Sequence, residues 1–387
     1  MIFLILICTI IFVGSLLGWF SVSLVFSDCR KKRYCFIWLL VTIIALLLYY
    51  YVQGIARGGF EVVDALVRQQ MLKFAVFWFV LQIAFVAVLP LYVIFVFVKR
   101  RLLAYNKEVV CKVVAVLLLF IPLMIAAKAV YWQDEWRIVN VEIASAKVPK
   151  ELSGFKIAQI SDTHVLFPEE VAVLREQLTA VVKEKPDIII FTGDLSDSKS
   201  QIAATVSAFK EVEDKAPLGL WFILGNHEYI QGVGNFLSVY DEQGISLLRN
   251  DGVIVYHNGV PVYLAGVDYP FDRLGDGMRA SLAVAERDLQ VALAKREDGQ
   301  FTILAAHHPL IFDKAFEQDV FLTLSGHTHA YQVGYDRKSL NIFTDYSWGL
   351  YEKSDLFGYV SSGAGEWFPA RFGAPQEVVI FTLKHLD

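Results

Sequence analysis

The sequence predicts an α/β protein in two parts: an N-terminal region of four transmembrane helices over residues 1–132 and a layered α/β domain over residues 133–387. Three observations lead there. The 387 residues are 56% hydrophobic with a mean hydropathy of +0.47, too apolar for an ordinary soluble chain. The apolarity is concentrated in four runs, Ile2–Phe26, Phe36–Tyr51, Phe74–Val98 and Val113–Tyr131, each near the roughly 20 residues that cross a bilayer. From about Gln133 onward, short β-rich runs alternate with helical stretches, the pattern of a layered α/β domain.

The first run lacks a basic start and exceeds the roughly 7–15 apolar residues of a secretory signal, so it reads as a retained span. Pro90 predicts a kink in the third run. Arg30, Lys31, Lys32 and Arg33 follow the first run, and Lys99, Arg100, Arg101 and Lys107 follow the third. By the positive-inside rule both loops face the cytoplasm, which places the C-terminal domain outside it, on a multi-pass protein of the cell membrane. Between the second and third runs, Phe60, Val63, Leu66, Val67 and Met71 recur at helical spacing and predict an amphipathic helix on the bilayer surface. All four cysteines, Cys8, Cys29, Cys35 and Cys111, lie in the apolar part, so the second part has neither disulfides nor thiolate ligands.

In the second part, strands are expected at Phe155–Ile160, Asp187–Phe191, Leu218–Leu224, Val253–Tyr256, Val262–Val267, Phe301–Ala305, Val320–Leu324 and Glu377–Leu383. Helices are expected at Pro168–Lys185 and Met278–Lys295, and Gln133–Gly154 reads as a first strand or a linker. Five short motifs sit at strand ends: Asp162-Thr163-His164, Gly193-Asp194, Gly225-Asn226-His227-Glu228, His307-His308-Pro309 and Gly326-His327-Thr328-His329. Strand ends facing one crevice are where open α/β sheets gather functional groups. Singly, each motif reads as a common turn. Jointly, five of the eight histidines stand there with Asp162, Asp194 and Asn226, an oxygen and imidazole set suited to a pair of divalent ions of the Mn, Zn or Fe type. A net charge of -5 leaves no basic stripe, which makes nucleic acid an unlikely partner.

The order and wording of these motifs, including Phe155–His164 and the tail from Gly363 to Leu383, resemble the calcineurin-like metallophosphoesterases, and more narrowly their membrane-anchored bacterial branch. The resemblance spans Trp136–Asp387. It implies two facing mixed sheets flanked by helices, with Asp162, His164 and His329 on one metal, Asn226, His307 and His327 on a second, and Asp194 bridging them. The motif alone leaves His307 and His308 both open as the ligand, and the resemblance favours His307. It also makes His227 a catalytic group beside the metals, stabilising phosphoryl oxygens or protonating the leaving group. Glu228 and Asp197 read equally as supports of that site or as surface carboxylates. Thr163 and Ser196 depart from the family's usual residues, at positions that are not ligands.

Two such cations can share a water, lower its pKa and aim the hydroxide at phosphorus. The function expected is therefore a membrane-anchored phosphoesterase acting on a phosphate ester, diester or diphosphate of a lipid or envelope component. A nucleotide phosphodiesterase or nuclease, or a membrane sensor that only binds ligand, would use the same residues. The sequence does not specify the oligomeric state.

Overall fold

The computed structural model describes residues 11–20, 31–58, 65–101, 107–271, 280–335, 338–339 and 344–387. The chain divides into two compact units, one built mainly on the residues before Asp134 together with Pro369–Phe372, the other on Asp134–Phe368 and Gly373–Asp387.

The first unit is helical: α1 (Ile11–Phe20), then α2 (Lys31–Gly58), α3 (Ala65–Ala87), α4 (Leu89–Arg101) and α5 (Lys107–Val130). The third apolar run is split between α3 and α4. Pro90 lacks an N–H and its ring excludes a carbonyl one turn back, so Val88 forms a turn whose oxygen accepts from Leu91 N at 2.9 Å. Val67–Ala87 is long and apolar enough to cross a bilayer, while Ile11–Phe20, Phe36–Val52 and Val116–Val130 are shorter apolar helices. The stretch expected as a separate surface helix falls partly outside the described residues, at 59–64. Its remainder is the first turns of α3, continuous with the apolar run.

Gly14 and Gly18 let α1 approach its neighbours. A Cβ would stand 2.5 Å from Gln82 O at the first and 2.3 Å from the Trp38 ring at the second, the small-residue packing common between membrane helices. Side-chain hydrogen bonds tie the same helices: Trp78 Nε1 donates to Thr42 Oγ1 at 2.9 Å, and Ser15 Oγ to Gln82 Oε1 at 3.2 Å.

The second unit holds β1 (Arg137–Ser145), β2 (Lys156–Ile160), α6 (Pro168–Lys183), β3 (Ile188–Phe191), α7 (Ile202–Lys210), β4 (Leu220–Phe222), α8 (Asn226–Ile230), α9 (Val233–Glu242), β5 (Ser246–Leu247), β6 (Asp251–His257), β7 (Val260–Gly266), α10 (Leu282–Ala292), β8 (Thr302–Ala305), α11 (Phe312–Glu317), β9 (Leu322–Ser325), the short pair β10 (Gly334–Tyr335) and β11 (Lys338–Ser339), β12 (Gly349–Lys353), β13 (Leu356–Val360) and β14 (Glu377–His385). Two six-stranded mixed sheets run β1-β14-β2-β3-β4-β5 and β12-β13-β9-β8-β7-β6. Residues 133–154, read as strand or linker, supply β1, which pairs in parallel with β14. The helix expected at Met278–Lys295 is described over Leu282–Ala292, its start lying partly among residues 272–279 outside the description.

Ile157, Ile190, Val379 and Phe381 of one sheet meet Leu264, Ile303, Leu322 and Tyr359 of the other in a core between the sheets. The outer face of the first sheet carries α6, α7 and α9 through Leu178, Phe209 and Phe236. That of the second carries α10 and α11 through Leu289 and Phe312. Strands buried on both faces read as continuous apolar runs, as in Ile188-Ile189-Ile190-Phe191, whereas β6, an antiparallel edge strand, alternates. Gln159 crosses the dry interior, donating to Ser325 O at 2.9 Å, and so ties the sheet carrying Asp162 to the one carrying His327.

Candidate metal centre

Parallel strands β2, β3, β4, β8 and β9 end on one side of the sandwich, and each hands its chain directly to one of the five motifs. Tight turns there force unusual backbone: Asp162, His164, Asp194, His327 and His329 have φ of 54°, 44°, 61°, 71° and 50°. The left-handed region costs an L-residue roughly 1–2 kcal/mol, and such conformations persist where the surroundings over-determine them. Here they do. Asp162 N donates to Gly193 O at 2.9 Å, His164 N to Asp194 O at 3.1 Å and His327 N to Asp162 Oδ1 at 2.9 Å. The motif glycines admit these approaches, since a Cβ at Gly225 would lie 2.2 Å from Asp194 Oδ1 and one at Gly326 2.0 Å from Asp162 Oδ2.

The structure brings together every residue singled out as a ligand. Asp162, His164 and His329 form one group and Asp194, His307 and His327 another. His164 Nε2 lies 2.9 Å from His329 Nε2, and Asp162 Oδ1 is 3.3 Å from His329 Nε2. In the second group Asn226 Oδ1 is 3.1 Å from His307 Nε2 and 2.9 Å from His327 Nδ1. The Asp194 carboxylate serves both, with Oδ2 3.2 Å from His307 Nε2 and 3.5 Å from His164 Nε2.

These donor atoms fit cations. His307 Nδ1 donates to Thr192 O at 2.7 Å, so a neutral ring turns the lone pair of Nε2 toward Asp194 and Asn226, acceptors facing an acceptor. Positive charge among them satisfies all three. The field has the same sign. Burial alone would raise the Asp162 carboxyl, but His329 and then His307 hold it below the ordinary carboxylate range. Burial opposes charge on His307, yet Asp194 outweighs it and raises that group to about 9.

Three carboxylates support this centre. Glu228, fully buried, accepts from Leu195 N at 2.7 Å, Gly225 N at 2.7 Å and Asp194 N at 3.1 Å, clamping the Asp194 turn to the Asn226 turn. Asp197 Oδ1 is 2.5 Å from His227 Nδ1, and its Oδ2 is 3.4 Å from His164 Nδ1. Burial disfavours charge on His227, but Asp194 and Asp197 raise it to about 10, so its ring is a cation. Of the two adjacent histidines, His307 joins the cluster while His308 turns its Nδ1 to Leu310 N at 3.1 Å.

The centre opens into a cavity of about 460 Å³ lined by His164, Asp194, Asn226, His227, His308, His327 and His329, with Tyr331, Thr344 and Trp367 on its walls. The last three were missed in the sequence because they stand in loops without local chemical pattern. Tyr331 does follow the Gly326–His329 motif, and its own φ of 52° belongs to the same left-handed turn. Tyr269 was missed likewise; its ring lies 5.9 Å from that of His307 and 5.7 Å from that of His327.

Residues 155–331 match the family model of the calcineurin-like phosphoesterases. The metallophosphoesterase YkuE of Bacillus subtilis (strain 168) is 31% identical over 256 residues, covering 62% of this chain and 83% of the relative. A metallophosphoesterase of Aquifex aeolicus (strain VF5) is 34% identical over 258 residues, covering 64% and 92%. The transmembrane protein with metallophosphoesterase domain of Bos taurus is 29% identical over 264 residues, covering 64% of this chain and 57% of that protein. With these relatives and an α/β fold of two mixed sheets that gathers Asp and His side chains at one edge, this chain belongs to the calcineurin-like phosphoesterases and is a metal-dependent phosphoesterase.

Proposed function

We propose that the chain is a membrane-anchored phosphoesterase that holds two divalent ions of the Mn, Zn or Fe type and hydrolyses a phosphate ester, diester or diphosphate on a lipid or envelope component outside the cytoplasm. The position of Asp194 between the two ligand groups carries the two-ion reading. Asp162, His164 and His329 would hold one ion, Asn226, His307 and His327 the other, and Asp194 both. When bound, such a pair supplies positive charge to phosphoryl oxygens and acidifies a water for attack on phosphorus.

The chain's own residues provide the remainder. His227, held by Asp197 through Nδ1, has Nε2 left to serve the cavity, where it can give its proton to the leaving oxygen. Glu228 fixes the spacing of Asp194 and Asn226 by binding both turns. Support for a membrane anchor comes from the Val67–Ala87 helix, from exposed apolar side chains such as Phe36, Leu47, Phe97 and Phe120 in the first unit, and from the bovine relative's description as a transmembrane protein.

The test uses the full chain in lipid nanodiscs, with elemental analysis and a panel of p-nitrophenyl phosphate, bis-p-nitrophenyl phosphate, a nucleoside diphosphate and a polyprenyl diphosphate. Two metal equivalents and turnover of the lipid are expected. Cleavage of nucleotides without cleavage of lipid overturns the substrate class, and ligand binding without turnover of any substrate makes the chain a sensor.

A further inference from the structure

His308 is not explained by metal binding. It stands one residue after His307 on the turn Pro309–Ile311, where its side chain caps the turn by accepting from Leu310 N at 3.1 Å. Accepting there requires a lone pair on Nδ1, so the ring that makes this bond is neutral and carries its proton on Nε2. The ring is also held in place. It lies against His327, with centroids 4.4 Å apart and planes at 33°, and against Tyr269 at 6.1 Å. It lines the cavity together with His227, and among the described residues no protein group accepts from Nε2. The cavity therefore has two histidines of opposite character: His227, a cation fastened to Asp197, and His308, a neutral donor. The other polar residues on its walls, Thr328, Tyr331 and Thr344, are neutral too, and no lysine or arginine is among the described lining residues.

This difference bears on the charge of the substrate. A phosphomonoester is a dianion near neutral pH, and the second charge is best met by a further cationic side chain. A phosphodiester is a monoanion, and a neutral N–H is enough for its remaining oxygen. We propose that His308 donates from Nε2 to a phosphoryl oxygen of the substrate and makes the site favour phosphodiesters over phosphomonoesters. The inference rests on the phosphoesterase site described above and narrows its substrate class.

The experiment compares kcat/KM of the metal-loaded full chain on bis-p-nitrophenyl phosphate and p-nitrophenyl phosphate, with metal content measured for each variant. The wild type is expected to favour the diester. His308→Ala should lower diester turnover roughly 10–100-fold, the effect of losing a hydrogen bond to a charged group, with metal content unchanged and the monoester less affected. His308→Gln, which retains an N–H donor, should recover part of the loss, and His308→Lys should move the preference toward the monoester. A wild-type preference for the monoester overturns the proposal, as does loss of metal in His308→Ala, an equal fall on both substrates, or an unchanged ratio in His308→Lys. Calorimetric binding of dimethyl phosphate and of methyl phosphate separates this proposal from the phosphoesterase reading. If the wild type turns over neither ester, that reading fails, and tighter binding of dimethyl phosphate by wild type than by His308→Ala still upholds the role of His308. Equal binding by the two proteins overturns it.

Discussion

The two units of this protein bury polar groups in opposite ways. In the helical unit, Gln82 and Thr42 are buried but provided for: Gln82 Oε1 accepts from Ser15, Gln82 Nε2 donates to Trp78 O, and Thr42 Oγ1 donates to Trp38 O while accepting from Trp78 Nε1. In the α/β unit, Asp162, Asp194, His164, His307 and His329 are buried as deeply with lone pairs turned on one another. A satisfied network fastens helices, whereas a cluster of acceptors is complete only with positive charge. Buried polarity is therefore no sign of function in itself. The sign is a set of donor atoms that the protein leaves for something else to satisfy.

The largest expected effect comes from removing the charge shared by both halves of the cluster. Asp194→Asn retains the shape and the hydrogen bond from His227 N, but not the carboxylate between His164 and His307. Elemental analysis should show loss of metal, and turnover should fall by roughly 10³-fold or more, beyond the 10–100-fold typical of a lost partner to a ligand. Full metal content in this variant would break the comparison, because the cluster would then be satisfied without its central charge. Next in size, His227→Ala should cut turnover roughly 10²–10⁴-fold with both ions retained. Metal loss in that variant would move His227 into the ligand set.

How much of this was legible follows from the same physics. Ligands announce themselves because a few residue types at strand ends are needed together, so Asp162, His164, Asp194, Asn226, His307, His327 and His329 could be singled out from sequence order. Apolar strands buried on both faces, such as β3, were equally plain. β12 and β13 were not, because Leu350-Tyr351-Glu352-Lys353 and Leu356-Phe357-Gly358 lack a clean period of two. The role of Glu228 was ambiguous in sequence, since a carboxylate three residues into a helical turn caps it in air or in a core alike. Only its burial beneath three backbone N–H groups identifies it as a clamp. The left-handed backbone at five ligand positions left no trace in composition, because the residues there are chosen for chemistry and are not glycine.

Glu228→Gln sharpens the comparison at intermediate size. The amide places an N–H against one of the backbone donors of Leu195, Gly225 or Asp194, so the two turns part slightly. Metal affinity should fall roughly 10–100-fold, measured by competition with a chelator, while the ligands themselves are unchanged. An affinity equal to wild type would mean that the strand ends hold Asp194 without help.

A smaller effect is expected at Glu377, which is buried but distant in role from the ligands. Its Oε1 accepts from Ser362 N at 3.0 Å, Tyr359 Oη at 3.1 Å and Trp348 Nε1 at 3.2 Å, while Oε2 has no partner. Burial raises its pKa above the ordinary carboxyl value. The folded state therefore holds this proton more tightly than the unfolded state, and stability falls as pH rises from the ordinary glutamate range through the raised value. Glu377→Gln should flatten that part of the melting-temperature profile by a few degrees without moving metal content. A profile of unchanged slope would assign the pH dependence to other groups.

The smallest effect on catalysis is expected in the helical unit. Thr42→Val keeps the volume but removes the acceptor for Trp78 Nε1, a loss of about 0.6 kcal/mol on average for such bonds between membrane helices. The detergent melting temperature should drop slightly, and kcat/KM on a soluble chromogenic ester should stay within about twofold, since a satisfied network contributes to fastening and not to chemistry. A lipid-linked substrate makes the test sharper. If Thr42→Val slows its hydrolysis while sparing the chromogenic ester, the helices take part in presenting substrate, and the buried polar groups of the first unit are functional after all. Equal rates on both substrates would leave the distinction between the two kinds of buried polarity intact.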